Sequence, residues 1–225
     1  MVAQGFIAAS IDYRLGTQAP VMNAEFAPLL ELPWTQARSV NESLTKSEER
    51  HGPAAAVADT VRALRYLKAK AANYGADMSR VMLFGSSAGG ITVVNVAYSL
   101  DEIGIERPAV HGVVNCWGAP LHDYTKLQVV DAGEPPLFVI HATGDKSVLF
   151  AHSQELVRQA RNKRVPFEAP PYELTATGLK IFHLEDSTGV PIWDRMEAFM
   201  KTALNDPTAL PKRRCVGDGK AECRL

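Results

Sequence analysis

The sequence predicts an α/β domain built on a mainly parallel sheet with helices on both faces. Short apolar runs of four to seven residues alternate with longer stretches of helical period. That alternation is the mark of a parallel sheet joined by crossover helices. Most of the runs are continuous rather than alternating, as strands covered on both faces require. The chain's 225 residues can bury a substantial core, and 46% hydrophobic with 22% charged residues is an ordinary globular composition.

The strand candidates are Phe6–Asp12, Val81–Phe84, Val110–Cys116, Leu137–His141 and Leu179–Leu184. The first helix, Pro53–Ala72, carries Val57, Val61, Leu64, Leu67 and Ala71 at spacings of four, three, three and four, which makes one apolar stripe. Pro53 suits its first turn, and Asn73-Tyr74-Gly75 suits its end. Ser87–Leu100 is apolar nearly all round and predicts a buried helix. Ser153–Arg164 and Ile192–Ala203 complete the set. Gly16–Gly52 and Gly118–Pro136 have no clear period and follow strand ends. In an open α/β sheet, ligands bind beyond the carboxyl ends of the strands. These two stretches are therefore the expected pocket walls. Trp34 and Trp117 are candidate substrate-binding residues there, against the alternative of core packing. The domain is expected to span 1–205, with a polar tail over 206–225.

Lys plus Arg is 24 against 25 for Asp plus Glu, a formal charge of −1. A near-neutral chain argues against nucleic acid or an anionic membrane as the main partner. No apolar run reaches the roughly 18 residues of a membrane span, and Met1–Phe6 lacks the pattern of a signal peptide. Three cysteines are too few for a disulfide scaffold. Cys215 and Cys223 flank a turn-rich segment and are either a disulfide, which would point to a secreted or periplasmic protein, or two thiols of a cytoplasmic one. Cys116 lies in an apolar run and reads as a buried thiol. No His/Cys spacing suggests a metal, and no cofactor is expected.

The most informative segment runs from Arg80 to Gly90. It contains Gly85-Ser86-Ser87-Ala88-Gly89, a G-x-S-x-G pattern between an apolar strand and an apolar helix. A serine hydroxyl is a poor nucleophile unless it stands clear of the backbone beside a base. A sharp strand-to-helix turn achieves that, and glycines on both flanks remove side chains that would collide. The helix start also favours the charge that develops on an oxyanion, with Ala88 N–H as one donor.

With Asp12-Tyr13-Arg14-Leu15, Asp59 in the long helix, Gly85-x-Ser87-Ala88-Gly89-Gly90 and His141-x-x-x-Asp145, the chain resembles the α/β-hydrolase serine esterases. It is most similar to the carboxylesterases related to hormone-sensitive lipase and to the feruloyl and acetyl esterases. The resemblance runs from residue 1 to about residue 203. It implies a truncated α/β-hydrolase fold, Ser87 as nucleophile and Asp145 as the acid after the next-to-last strand. It also implies an open pocket for short or soluble acyl esters, with no large inserted cap.

The chain departs from that pattern twice. The family's catalytic histidine follows the last strand, and Val190 stands at the matching place. His183, seven residues earlier on the expected last strand, is the best remaining candidate for the base. His141 reads as structural, His51 and His111 as surface or packing residues, and His122 and His152 lie in or near loops at the pocket end. Asp145 is preferred over Asp186 and Asp194 for the acid, because it follows an apolar strand by a turn containing Gly144. The second departure is at the beginning. The family's first three strands and its oxyanion loop have no counterpart before Phe6. Either the chain is a fragment, or the strands close up, or another chain fills the place. Phe6–Ile11 is apolar on both faces and is expected to pair either directly with Val81–Phe84 or across a subunit boundary in a homodimer. Two functions follow as alternatives: an esterase acting through an acyl-enzyme on Ser87, or a non-catalytic hydrolase-fold protein that binds a ligand or partner.

Overall fold

A computed structural model describes residues 5–32, 46–124, 127–169, 182–186 and 188–210. Its sheet has four strands: β1 (Met82–Ser86), β2 (Gly112–Cys116), β3 (Leu137–Ile140) and β4 (Phe167–Glu168). All pair in parallel and in chain order, β1-β2-β3-β4, with Ser86 beside Cys116 and Cys116 beside Ile140. Five helices accompany them: α1 (Lys46–Ala69), α2 (Ala71–Tyr74), α3 (Ala88–Tyr98), α4 (Phe150–Lys163) and α5 (Ile192–Asn205).

The two-residue alternation of strand side chains divides the core into two layers. Leu83, Val113, Leu137, Val139 and Phe167 meet the apolar stripes of α1, α3 and α4 on one face. Val114, Cys116, Phe138 and Ile140 meet Met196, Phe199, Met200 and Ala203 of α5 on the other. Both faces of β2 and β3 are thus covered, and every residue of these two strands is buried. Their continuous apolar runs have this cause. Helix α3 is buried from Gly90 to Tyr98 because it packs on β1, β2 and α1 together.

Several expectations require correction. Phe6–Asp12 forms no strand; it has no regular secondary structure and is largely exposed, with Ile7 at 60%. It does not pair with β1, whose ladder runs to β2 alone among the described residues. Apolar composition drives strand formation only where a neighbour accepts the backbone bonds. The alternative, pairing across a subunit boundary, involves a second copy. Instead, this region is tied down by Arg14, whose guanidinium and backbone N–H bind the Asp59 carboxylate of α1 at 2.8–3.3 Å. Burial raises the Asp59 pKa, but the Arg14 hydrogen bonds outweigh it and hold the carboxyl below its ordinary value. The described part of Leu179–Leu184 is not strand either: Phe182 and His183 lie in a short helical turn. The rest of that run lies outside the described residues. The short strand β4 was not anticipated, because two residues carry no periodic signal.

Helix α1 begins at Lys46, so Pro53 sits inside it rather than in its first turn. Gly118–Pro136 is not an open wall. Ala119, Leu121, Val129 and Val130 are buried. Polar side chains satisfy the backbone of that stretch: Asn95 Oδ1 accepts from Leu121 N–H at 3.0 Å, and Gln159 Oε1 accepts from Val129 and Val130 N–H at 2.9 and 3.0 Å. The expected tail is packed at its start, since Leu210 is buried against the α5 layer. Cys215 and Cys223 lie outside the described residues, as does Trp34; Cys116 is a free, buried thiol whose pKa burial pushes far up. No helix among the described residues is long and apolar enough to cross a membrane.

Candidate active site

Ser87 stands between the last residue of β1 and the first of α3, at φ 52° and ψ −118°. A left-handed φ is unfavourable for a residue with a Cβ and costs of order 1–3 kcal/mol, so the surroundings must impose it. They do so through two bonds: Ser87 N–H donates to Cys116 O at 2.9 Å, and Ser87 O accepts from Ile91 N–H at 2.9 Å. The first fastens the turn to the end of β2 and the second starts helix α3. Ser87 and Ala88 are both solvent-exposed. Ala88 is the first helical residue, where backbone N–H groups have no partner within the helix. Ser87 is thus held out on a strained turn beside the N–H groups of a helix start.

The glycines divide differently from the expectation. A Cβ on Gly85 would lie 2.1 Å from Gly89 O, so this position admits no side chain. A Cβ on Gly89 meets nothing within 4 Å. The second tight approach belongs instead to Gly90, which packs on Asn115 and Cys116 at the end of β2 and on Gly118 just beyond it.

Asp145 follows the carboxyl end of β3, as Ser87 follows that of β1, and the strands are parallel. Both residues therefore lie beyond the carboxyl edge of the sheet, after strands that are two positions apart, about 10 Å along the hydrogen-bonding direction. Asp145 Oδ1 accepts from Ser147 and Val148 N–H at 2.8 and 3.0 Å, which fixes the carboxylate in its turn. Its Oδ2 lies 3.6 Å from His141 Nε2. His141 is nevertheless a structural histidine. Its Nε2 sits 2.8 Å from the Val148 carbonyl and so carries the proton, while Nδ1 accepts from Ser153 Oγ at 2.6 Å. Burial, the largest influence, lowers its pKa.

His183 is solvent-exposed. Its neighbour Phe182 is buried, with its ring 6.0 Å from Phe84, 6.4 Å from Trp117 and 5.9 Å from Trp193. Trp117 directly follows β2, so Phe182 anchors this segment near the strand that lies between β1 and β3. Trp117 itself is 6% exposed and packs under α5. Core packing replaces the pocket-lining reading for it. Among the described residues no hydrogen bond joins Ser87 Oγ to a histidine. His122 is buried and neutral, its pKa lowered by burial to about 4. His152 is buried edge-on to Tyr124. Among the described residues no group of His, Cys, Asp or Glu could hold a metal ion.

Val190 is 36% exposed in a tight loop closed by the Glu185–Pro191 bridge. Asp186 organises this loop and is thereby excluded as the acid. Its carboxylate accepts from Thr188 N–H and Oγ at 2.7 and 2.6 Å and from Val190 N–H at 3.2 Å, and it pairs with Arg195. Asp194 is exposed on α5, as expected. Burial raises the Asp186 pKa, but these bonds together hold the carboxyl below its ordinary value. A depressed carboxyl contributes stability above its unfolded value and loses it as pH falls through the folded one. The Asp186 contribution should therefore be present at neutral pH and fade below about pH 4. Arg195→Met strands a buried carboxylate, and urea unfolding at pH 7 should show a loss of about 3 kcal/mol. The deficit against the parent chain should shrink as pH falls below 4.

This sheet, with its strained serine turn, defines the α/β-hydrolase fold. The comparisons agree. The BD-FAE family model matches residues 39–112, the stretch that carries α1, β1, the serine turn and α3. MGS-M1, an alpha/beta hydrolase enzyme from a Medee basin deep-sea metagenome library, is similar with TM-score 0.52 at 21% identity over 73% of this chain and 68% of that one. A lipase/esterase from Lactobacillus plantarum reaches TM-score 0.50 at 14% identity, covering 67% of each chain. An acetyl ester-xyloside bifunctional hydrolase from Caldicellulosiruptor lactoaceticus also reaches 0.50, at 19% identity over 65% of this chain and 64% of that one. No curated protein matches the chain.

Proposed function

We propose that the chain is a serine hydrolase that cleaves carboxylic esters of short or soluble acyl groups. The observation that carries this reading is Ser87, exposed and left-handed between β1 and α3. Ser87 Oγ attacks the ester carbonyl, and His183 takes the hydroxyl proton. Ala88 N–H holds the tetrahedral oxyanion, and the leaving alkoxide departs with the proton from His183. Water then hydrolyses the acyl-enzyme by the same steps. Asp145 orients and stabilises the imidazolium. The likeness to a lipase/esterase and to an acetyl-ester hydrolase favours an ester over an amide. A fluorophosphonate probe tests the nucleophile directly, since displacement of fluoride leaves a phosphonyl group on an activated serine. Mass spectrometry should find that adduct on the peptide containing Ser87; a chain that takes up no label, or takes it up elsewhere, overturns the assignment.

One observation favours a second reading. Ser87 Oγ has no histidine partner among the described residues, and the family's histidine position holds Val190. The chain would then be a hydrolase-fold protein that binds a ligand without turning it over.

A further inference from the structure

At the end of the sheet opposite Ser87 lies a cleft of about 790 Å3. Val110 and His111 lead into β2 there, Pro135 and Pro136 into β3, and Pro166 into β4. Pro207, just after α5, closes one side. The volume is that of small-molecule sites, and the walls are mainly apolar. Nothing in the proposed esterase chemistry uses this cleft.

Arg107, His111 and Glu134 are its partly buried polar side chains. Arg107 is half-buried and spends two N–H groups on backbone carbonyls, Ala97 O at 2.8 Å and Pro108 O at 3.4 Å. No described carboxylate lies within ion-pair distance of it, so its charge is not neutralised by contact. His111 Nδ1 accepts from Val81 N–H at 3.0 Å, which leaves the proton on Nε2. Glu134 lines the same cleft but forms no ion pair with Arg107. Burial, eased by one bond from Asp131 N–H, pushes its carboxyl up to about 8, so it too offers an O–H. The other acidic side chains of the lining, Asp101 and Glu106, are solvent-exposed.

We propose that this cleft binds a monocarboxylate with an apolar body, its carboxylate held by Arg107 and its chain lying along the leucine, valine and proline walls. A guanidinium meets a carboxylate through two parallel hydrogen bonds, and a partly desolvated one gains more from it than an exposed one. The exposed acidic residues Asp101 and Glu106 disfavour anions of higher charge, which separates a carboxylate from a phosphate.

Calorimetric titration of the full chain with octanoate tests this, with octylammonium and inorganic phosphate as comparison probes. Octanoate should bind, and its affinity should fall at least tenfold in Arg107→Gln and in Ala109→Trp. The second variant fills the cleft from an exposed position and decides the matter if the first does not fold. Ser87→Ala should leave octanoate binding unchanged. The proposal is overturned if octanoate does not bind, if neither variant weakens it, or if octylammonium or phosphate binds as well. Loss of octanoate binding in Ser87→Ala also overturns it, because the acid would then occupy the serine site.

Discussion

Ser87→Ala should lower kcat/KM for p-nitrophenyl acetate by about a thousandfold or more, close to the rate left by binding and the oxyanion donor alone. On the acyl-enzyme reading the loss is large because the covalent intermediate itself would disappear. No neighbouring side chain can replace it, since Ser86 is on the strand and the other residues of the turn are glycines and alanine. Folding should be unaffected: alanine keeps the backbone bonds to Cys116 and Ile91, and the hydroxyl has no described partner to lose. Equal rates in the parent and Ser87→Ala chains would overturn the esterase reading. A parent chain that is inert, together with a Val190→His chain that is active, would establish the ligand-binding reading instead. The Val190 loop tolerates that change because the side chain is partly exposed and its contribution to the loop is through its backbone N–H and carbonyl.

Gly85→Val should abolish folding, or lower stability by roughly 4 kcal/mol or more against a total of about 5–15. The added Cβ would sit 2.1 Å from Gly89 O and 2.3 Å from Gly89 C, and both are backbone atoms that no rotamer change can move. Relief would require lifting α3 from β1, which uncovers Val94 and Val96 and the strand beneath. Gly89→Ala is the control. Its Cβ meets open space, and alanine favours a helix by up to about 1 kcal/mol, so the chain should unfold at the same or a higher urea concentration. A Gly85→Val chain that unfolds like the parent would show that α3 does not pack on the turn as described.

Strands β1 to β3 and helices α1, α3, α4 and α5 were legible because burial on both faces, or on one stripe, writes itself into local spacing. The serine turn was legible because its sterics demand small residues over a few adjacent positions. His141 and Asp145 could be located after β3 because that strand has a clear pattern, while their hydrogen-bond partners could not. Which glycine the turn needs was not legible. G-x-S-x-G names Gly85 and Gly89 alike, yet only the approach of α3 to β1 and of Gly118 to Gly90 separates a required glycine from a permissive one.

What the sequence by itself determined is the α/β class, the parallel order of its strong elements and the identity of the exposed serine between strand and helix, all properties of contiguous residues. Tertiary structure alone decided that Phe6–Asp12 stays out of the sheet and that Trp117 belongs to the core. It alone decided that Glu134 and Arg107 line one cleft without forming an ion pair. A strand exists only if a neighbour takes its hydrogen bonds, a tryptophan is pocket or core according to what packs on it, and a carboxyl is charged or neutral according to its burial. These depend on contacts between residues far apart in the chain, and no local pattern encodes them.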